Sequence, residues 1–264
     1  SRSRSCPREE DGRSRSRLPA EAVYRALRER PRLAARAVVL DIGSGDGYGT
    51  AELARVARWA VGLDVDPAVV ARAGLRYRQP GLGWVAGRAE ALPFPDATFD
   101  LVCCFQVLEH LPDPTRFLNE ARRVLAPGGR LLLTTPNRAA VVAGLNPHHV
   151  REYDADALRA LLEPVFPEVR LLGVFGSERV LAYRARNRSI VGRLLALDRL
   201  GLRRVLPGPV VERLHAWGTL AVRGWLHRRV PELVATITVE DFRVEEGDLE
   251  QAIDLVAVCR VGPE

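Results

Sequence analysis

The chain contains no methionine and no lysine, and only four of its 264 residues are cysteines. None of the cysteines forms a CxxC pair or has the spacing of zinc ligands, so neither a disulfide framework nor a zinc centre is expected. The sequence also lacks an apolar run near the ~20 residues that span a bilayer. No signal-peptide core is visible near the first residue. These absences favour a cytoplasmic protein.

The composition is ordinary for a globular protein, with 47% hydrophobic and 27% charged residues. Its length suffices for one α/β domain that carries an insertion. The net charge of +6 is unevenly placed, because residues 1–17 contribute +3 and residues 184–230 contribute +9, which leaves −6 for the remainder. The basic balance is therefore no evidence for a nucleic-acid partner, and none is expected.

A glycine-rich stretch organises the chain. An apolar run over residues 38–40 ends at Asp41 and opens into glycines at alternate positions, and an apolar helical pattern follows. The pattern predicts a buried strand, a tight turn and a helix, which is the first unit of a doubly wound α/β sheet. Glycines suit this turn because they adopt positive φ and let a ligand approach the backbone.

The sixth position of this loop is Tyr48, whereas a dinucleotide-binding fingerprint has glycine there. An acidic residue just before the loop would repel a pyrophosphate but would suit an ammonium group. Residues 41–47 resemble motif I of the class I methyltransferases that use S-adenosylmethionine. The resemblance implies that Asp41 holds the methionine ammonium and that the methionine part is admitted by Gly43, Gly45 and Gly47.

The second predicted strand covers residues 60–64 and ends in an acidic side chain, Asp64, 21 residues after Gly43. In a doubly wound sheet this position reaches the ribose hydroxyls of a bound nucleotide. We therefore assign Asp64 and the adjoining Val65 to the cofactor site. A purely capping role for Asp64 is the alternative, although Asp66 fills that role better.

Residues 89–102 are similar to the loop and fourth strand of the UbiE/UbiG-like branch of these methyltransferases. In that branch the loop after the third strand usually offers an aspartate to the adenine amino group, whereas Arg88 stands at that place here. We therefore expect the backbone at Ala89, together with Glu90, to carry more of the adenine contact.

The fourth predicted strand, residues 99–105, runs into the V-L-E-H-L-x-D pattern of the same branch. The preceding Gln106 is expected to border the cofactor. Glu109 and His110 are able to act as an acid–base pair or to ligate a hard ion. We favour the simpler interpretation that they orient the loop and shape the floor of the site, and we predict no metal centre.

A second histidine candidate lies between the fifth strand and the helix that follows it. His149 and Tyr153 resemble the H-x-x-x-[FY] segment that precedes this helix in the family. A neutral imidazole is a suitable base for a hydroxyl or amine that loses its proton. His149 and His110 are therefore the catalytic candidates; the alternative for His149 is that it only bonds the loop backbone.

The predicted organisation has four parts: a disordered Ser/Arg tail at 1–17, a Rossmann-like core at 18–183, a helical cap at 184–247 and a last strand within 248–264. The cap separates the sixth and seventh strands, which a hairpin joins in class I methyltransferases. Its apolar stripes and arginine rim suit a lid over the acceptor, a peripheral contact with an anionic membrane, or a dimer face. No sequence feature indicates a particular oligomeric state.

Together these patterns predict a seven-stranded, doubly wound class I methyltransferase sheet with a helical insertion. The resemblance implies a methyltransferase that uses S-adenosylmethionine. We expect its acceptor to be a small molecule, a sugar or a lipid-like compound, and expect O-methylation with histidine-assisted proton removal. The alternatives are a non-catalytic S-adenosylmethionine- or nucleotide-binding module and an NAD-dependent oxidoreductase. A nucleic-acid amino-methyltransferase is disfavoured because no [DNS]-P-P-[FYW] run follows the fourth strand.

Overall fold

The computed structural model describes residues 18–28, 36–140, 149–196 and 237–262. The predicted disordered tail and residues 197–236 of the predicted cap lie outside the described residues. The proposed membrane contact and dimer face of the arginine-rich segment fall largely on these residues.

One mixed sheet forms the centre of the fold, with the strand order β3-β2-β1-β4-β5-β8-β6-β7. β1 pairs in parallel with both β2 and β4, and β8 runs antiparallel between β5 and β6. The strands are β1 Val38–Ile42, β2 Trp59–Asp64, β3 Leu82–Ala86, β4 Phe99–Phe105, β5 Leu125–Pro136, β6 Glu168–Gly176, β7 Phe242–Glu245 and β8 Asp254–Arg260.

The helices of the described residues lie on both faces of the sheet, as two separate clusters of buried apolar residues indicate. They are α1 Leu18–Arg28, α2 Tyr48–Leu53, α3 Pro67–Arg76, α4 Pro114–Val124, α5 Ala155–Leu162 and α6 Glu178–Ala196. The central strands are buried on both faces, which explains why β4 is an almost unbroken apolar run.

The order of the strands reverses at β1, because β2 and β3 lie on one side of it and β4 and β5 lie on the other. In open α/β sheets this reversal leaves a crevice at the carboxyl ends of the two central strands. The loops that follow β1 and β4 therefore meet at one edge of the sheet, and the loop after β2 adjoins them. The predicted Rossmann-like α/β fold is confirmed.

The structure adds one strand to the predicted seven. β7 lies within residues 184–247, where a mostly helical cap was predicted, and pairs antiparallel with β6 at the sheet edge. A strand of four residues is too short to show a clear alternation of apolar and polar residues. Its pairing with β6, which lies far away in the sequence, leaves no local signal either. β5 begins at Leu125, directly after α4, and α6 continues through the predicted core–cap boundary at residue 184.

In the part of the chain that the structure describes, no helix combines the length and the apolar character needed to cross a membrane.

Candidate functional site

The loop after β1 is built on backbone that only glycine adopts readily. Gly43, Gly45 and Gly47 have φ values of +73°, +54° and +86°. A Cβ at Gly43 would lie 2.2 Å from Val107 Cγ2, and one at Gly47 would lie 2.3 Å from the ring of Trp84. A Cβ at Gly45 would meet none of the described atoms within 4 Å. The middle glycine thus faces open space.

The carboxylate of Asp64 fixes the shape of this loop. Its Oδ2 accepts the backbone N–H of Gly45 at 3.0 Å, and its Oδ1 accepts that of Asp66 at 3.0 Å. Asp66 caps α3 through Ala68, as predicted. Asp64 therefore connects the end of β2 to the glycine loop of the neighbouring strand.

Asp41 lies beneath the loop and is 2% exposed. Its carboxylate accepts the hydroxyl of Thr50 at 2.6 Å and that of Tyr24 at 3.2 Å. Burial raises the pKa of Asp41 to about 6, although both hydrogen bonds act in the opposite direction. The predicted contact between this carboxylate and an ammonium group stays a prediction. In the structure Asp41 connects the end of β1 to α1 and α2.

A cleft of about 390 Å³ opens at the carboxyl ends of β1, β2 and β4. This volume is within the range of small-molecule and cofactor sites. The residues that line it include seven of the predicted site residues, namely Gly43, Asp64, Val65, Ala89, Glu90, Gln106 and His110. The lining residues do not include Asp41, Gly45, Gly47 or His149.

Two features of the cleft wall are unusual. Gln106 has φ +57° without being glycine, and its backbone N–H donates to the carbonyl of Thr134 at 2.9 Å. Such conformations cluster at ligand sites, where the surrounding structure enforces them. On the opposite wall the guanidinium of Arg88 donates to Glu90 at 3.4 Å. The residue that departs from the family pattern is thus paired with the predicted adenine contact.

Glu109 is a buried carboxyl next to His110, which lines the cleft, and 1% of its surface is exposed. Its Oε2 accepts the hydroxyl of Thr135 at 3.1 Å, and burial raises the pKa of this carboxyl to about 7. The carbonyl of Glu109 accepts the backbone N–H groups of Val150 at 2.8 Å and of Arg151 at 3.3 Å. These two bonds fasten the segment after β5 to the end of β4.

The structure brings the two catalytic candidates together. The rings of His110 and His149 lie edge to face with centroids 5.1 Å apart. His110 Nε2 lies 4.0 Å from Glu109 Oε1, and His149 Nδ1 lies 3.6 Å from Glu152 Oε1. His110 reaches the cleft with a side chain that is 41% exposed, whereas the side chain of His149 is 11% exposed.

Sequence reasoning missed the residues that support the site. Thr50, Tyr24 and Thr135 all bond buried carboxyls. Tyr24 also packs its ring against Phe105, with centroids 4.6 Å apart. No local motif marks these positions, because each contact depends on how distant elements pack.

Comparison with known proteins identifies this architecture. Residues 40–133 match the family described as "Methyltransferase domain". The chain is 37% identical over 247 residues to a "Probable S-adenosylmethionine-dependent methyltransferase" of Mycolicibacterium smegmatis, an alignment that covers 90% of this chain and 86% of the relative.

Two further matches agree with this result. A "Ubiquinone biosynthesis O-methyltransferase" of Xanthomonas axonopodis pv. citri is 34% identical over 130 residues, covering 48% of this chain and 53% of that protein. The solved structure of the [4+2]-cyclase SpnF is similar to this chain with a TM-score of 0.60 and 22% sequence identity. The match covers 97% of this chain and 86% of the SpnF chain. At this identity the similarity supports the fold alone. The comparisons do not favour the oxidoreductase or the non-catalytic alternative. The chain belongs to the class I S-adenosylmethionine-dependent methyltransferases, and S-adenosylmethionine is its cofactor.

Proposed function

We propose that this enzyme methylates a hydroxyl oxygen of a small-molecule, sugar or lipid-like acceptor, with assistance from its histidine pair in removing the proton. The observation that carries the proposal is the position of His110. It lines the same cleft as Gly43 and Asp64, next to Glu109 and His149. Imidazole is therefore available in the cleft that we assign to the two reactants.

When bound, S-adenosylmethionine supplies an electrophilic methyl group on a sulfonium. The chain must therefore mainly hold the two reactants in line and accommodate the proton that the hydroxyl loses. We assign the ribose to Asp64, the methionine part to the loop of Gly43, Gly45 and Gly47, and the adenine to the wall formed by Ala89 and Glu90. Both Asp64 and Glu90 line the cleft, which supports this assignment.

The choice of a hydroxyl acceptor has two supports. The Xanthomonas relative is named as an O-methyltransferase of ubiquinone biosynthesis, and it matches about half of this chain. A hydroxyl also needs help to lose its proton near neutral pH, and the histidine pair offers that help. We further propose that the predicted cap, residues 184–247, with its excess of arginine, contributes to the choice of acceptor.

The test is methyl transfer from radiolabelled S-adenosylmethionine to a panel of catechols, hydroxylated quinone precursors, sugars and hydroxylated lipids. We expect label in an ether, with transfer strongly reduced in His110→Ala and His149→Ala while the dissociation constant for S-adenosylhomocysteine changes by less than about threefold. Label found only in amines or at carbon would contradict the proposal, as would full transfer in both histidine variants.

A further inference from the structure

We propose that Glu109, His110 and His149 form a binding site for a divalent transition-metal cation at the acceptor end of the cleft. Each residue offers one ligand atom, and the three atoms lie within 4.8 Å of one another. The sequence showed only the adjacent pair at 109–110. The third ligand comes from a segment about forty residues further along the chain, so the cluster exists only in the folded protein.

The backbone holds these three residues in place. Glu109 and His110 end a 3₁₀ turn, Leu108–His110, directly after β4. The carbonyl of Glu109 accepts the N–H groups of Val150 and Arg151, the two residues that follow His149. The third ligand is thus tied by hydrogen bonds to the same residue that supplies the first.

The spacing is close to that of a coordinated ion. Ligand atoms that each lie about 2.0–2.2 Å from a cation are within about 4.4 Å of one another. A small rotation of a side chain therefore closes the cluster. The side chain of His110 has room to rotate, because it is 41% exposed at the cleft surface.

A neighbouring hydroxyl orients one of the ligands. The hydroxyl of Thr135 donates to Glu109 Oε2 at 3.1 Å, while Oε1 lies on the side of His110. Glu152 Oε1 lies 3.6 Å from His149 Nδ1, just beyond hydrogen-bond distance. A carboxylate beside a ligating imidazole is a recurrent partner at metal sites, and a small shift of Glu152 would let it take that role here.

The donor set indicates the kind of ion. Two imidazoles and one carboxylate suit Zn²⁺, Mn²⁺ or Fe²⁺, whereas Ca²⁺ and Mg²⁺ prefer oxygen ligands. Three protein ligands leave coordination positions open, and His110 places them beside the cleft. At one of these open positions the ion would bind an oxygen atom of the acceptor.

The chemical use of the ion rests on the proposed function. A hydroxyl bound to a divalent cation loses its proton to solvent more readily. Its oxygen then forms a bond to the methyl carbon as the carbon–sulfur bond breaks, leaving a neutral thioether. The two histidines then assist proton removal by holding the ion. The binding site itself is tested without acceptor or cofactor.

The experiment titrates Co²⁺ into the chelator-treated chain and follows the visible d–d absorption. We expect saturation at one ion per chain and displacement by Zn²⁺. Glu109→Gln, His110→Ala and His149→Ala should each weaken binding roughly tenfold or more. Glu163→Gln, which alters an exposed carboxylate at the C-terminal end of α5, is the matched control and should bind Co²⁺ like the wild type.

A spectrum that does not saturate would overturn the proposal, and so would equal affinity in all four variants. Circular dichroism checks the fold of each variant. Glu109→Gln keeps an oxygen that accepts the Thr135 hydroxyl, and His110→Ala changes a side chain at the surface. Neither variant is expected to misfold, so loss of Co²⁺ binding in both would reflect loss of the ligands. Hydroxyl methylation without Co²⁺ binding would refute this inference alone. Co²⁺ binding without hydroxyl methylation would refute the proposed function alone.

Discussion

The backbone N–H of Gly45 donates to Oδ2 of Asp64 at 3.0 Å, so the end of β2 holds the middle of the loop that follows β1. The second carboxylate oxygen accepts from Asp66 at 3.0 Å. One residue thereby sets the loop shape and also lines the cleft. Loop shape and cofactor affinity are consequently linked through a single residue.

Asp64→Ala should weaken S-adenosylmethionine binding by ~1–3 kcal/mol, because hydrogen bonds to a charged group are lost. Isothermal titration calorimetry measures this change. Asp66→Ala is the matched control, since Asp66 caps α3 and its loss should lower the free energy of unfolding by about 0.5–2 kcal/mol without changing cofactor affinity. Equal affinity in wild type and Asp64→Ala would place the ribose contact on another residue.

Substitutions at two glycines of the loop should have different consequences. Gly45→Arg adds a side chain to open space at a φ of +54°, so the chain should fold with a backbone strain of about 1–2 kcal/mol while cofactor binding is lost. Gly43→Ala should lower the melting temperature, because its Cβ would overlap Val107 and its φ is +73°. Thermal unfolding and calorimetry separate the two effects. Normal cofactor binding by Gly45→Arg would show that the loop is not the binding element.

The stability of the fold should depend on pH through Asp41. Its pKa rises from 3.8 to about 6 on folding, so between about pH 4 and 6 the folded chain binds more protons than the unfolded chain. The contribution of Asp41 to stability is therefore largest at low pH and falls as the pH rises through this window. This rise in the pKa of Asp41 corresponds to a change of roughly 3 kcal/mol in the free energy of unfolding.

The measurement compares urea unfolding of the wild type and Asp41→Asn from pH 4 to pH 7. Other titrating groups cancel in the difference between the two chains. We expect the stability of Asp41→Asn relative to wild type to increase with pH by an amount on the order of 3 kcal/mol. A difference that does not change with pH would show that Asp41 titrates normally in the folded state.

Arg123 should matter for stability rather than for catalysis. Its guanidinium donates to the carbonyls of Phe94 at 2.9 Å and Leu92 at 3.1 Å, and it also bonds Glu120. Arg123→Lys cannot reproduce this fork, so it should lower the free energy of unfolding by about 1–2 kcal/mol. Cofactor affinity should stay within about twofold. Unchanged urea unfolding would contradict this role.

The local parts of the site could be predicted from the sequence, whereas contacts between distant elements could not. The glycine loop and Asp64 follow from strand–turn–helix patterning, and the structure places Asp64 in the cleft. The proximity of His149 to His110 depends on the bonds from Val150 and Arg151 to Glu109. No sequence pattern predicts these hydrogen bonds between distant segments.

The partners of Asp41 were the second limit of sequence reasoning. Its contact with an ammonium group stays a prediction. The hydroxyls of Tyr24 in α1 and Thr50 in α2 donate to its carboxylate, and no pattern along the chain indicates these two bonds. β7 was missed for a related reason, because its pairing with β6 joins segments about seventy residues apart.

The central claim is that the cleft between Gly43 and Asp64 binds S-adenosylmethionine. The most direct test is calorimetric titration of the purified chain with S-adenosylmethionine and, separately, with NAD. We expect one site for S-adenosylmethionine in the wild type, no measurable heat with NAD, and loss of the S-adenosylmethionine signal in Gly45→Arg. Binding of NAD in place of S-adenosylmethionine, or undiminished binding by Gly45→Arg, would contradict the account.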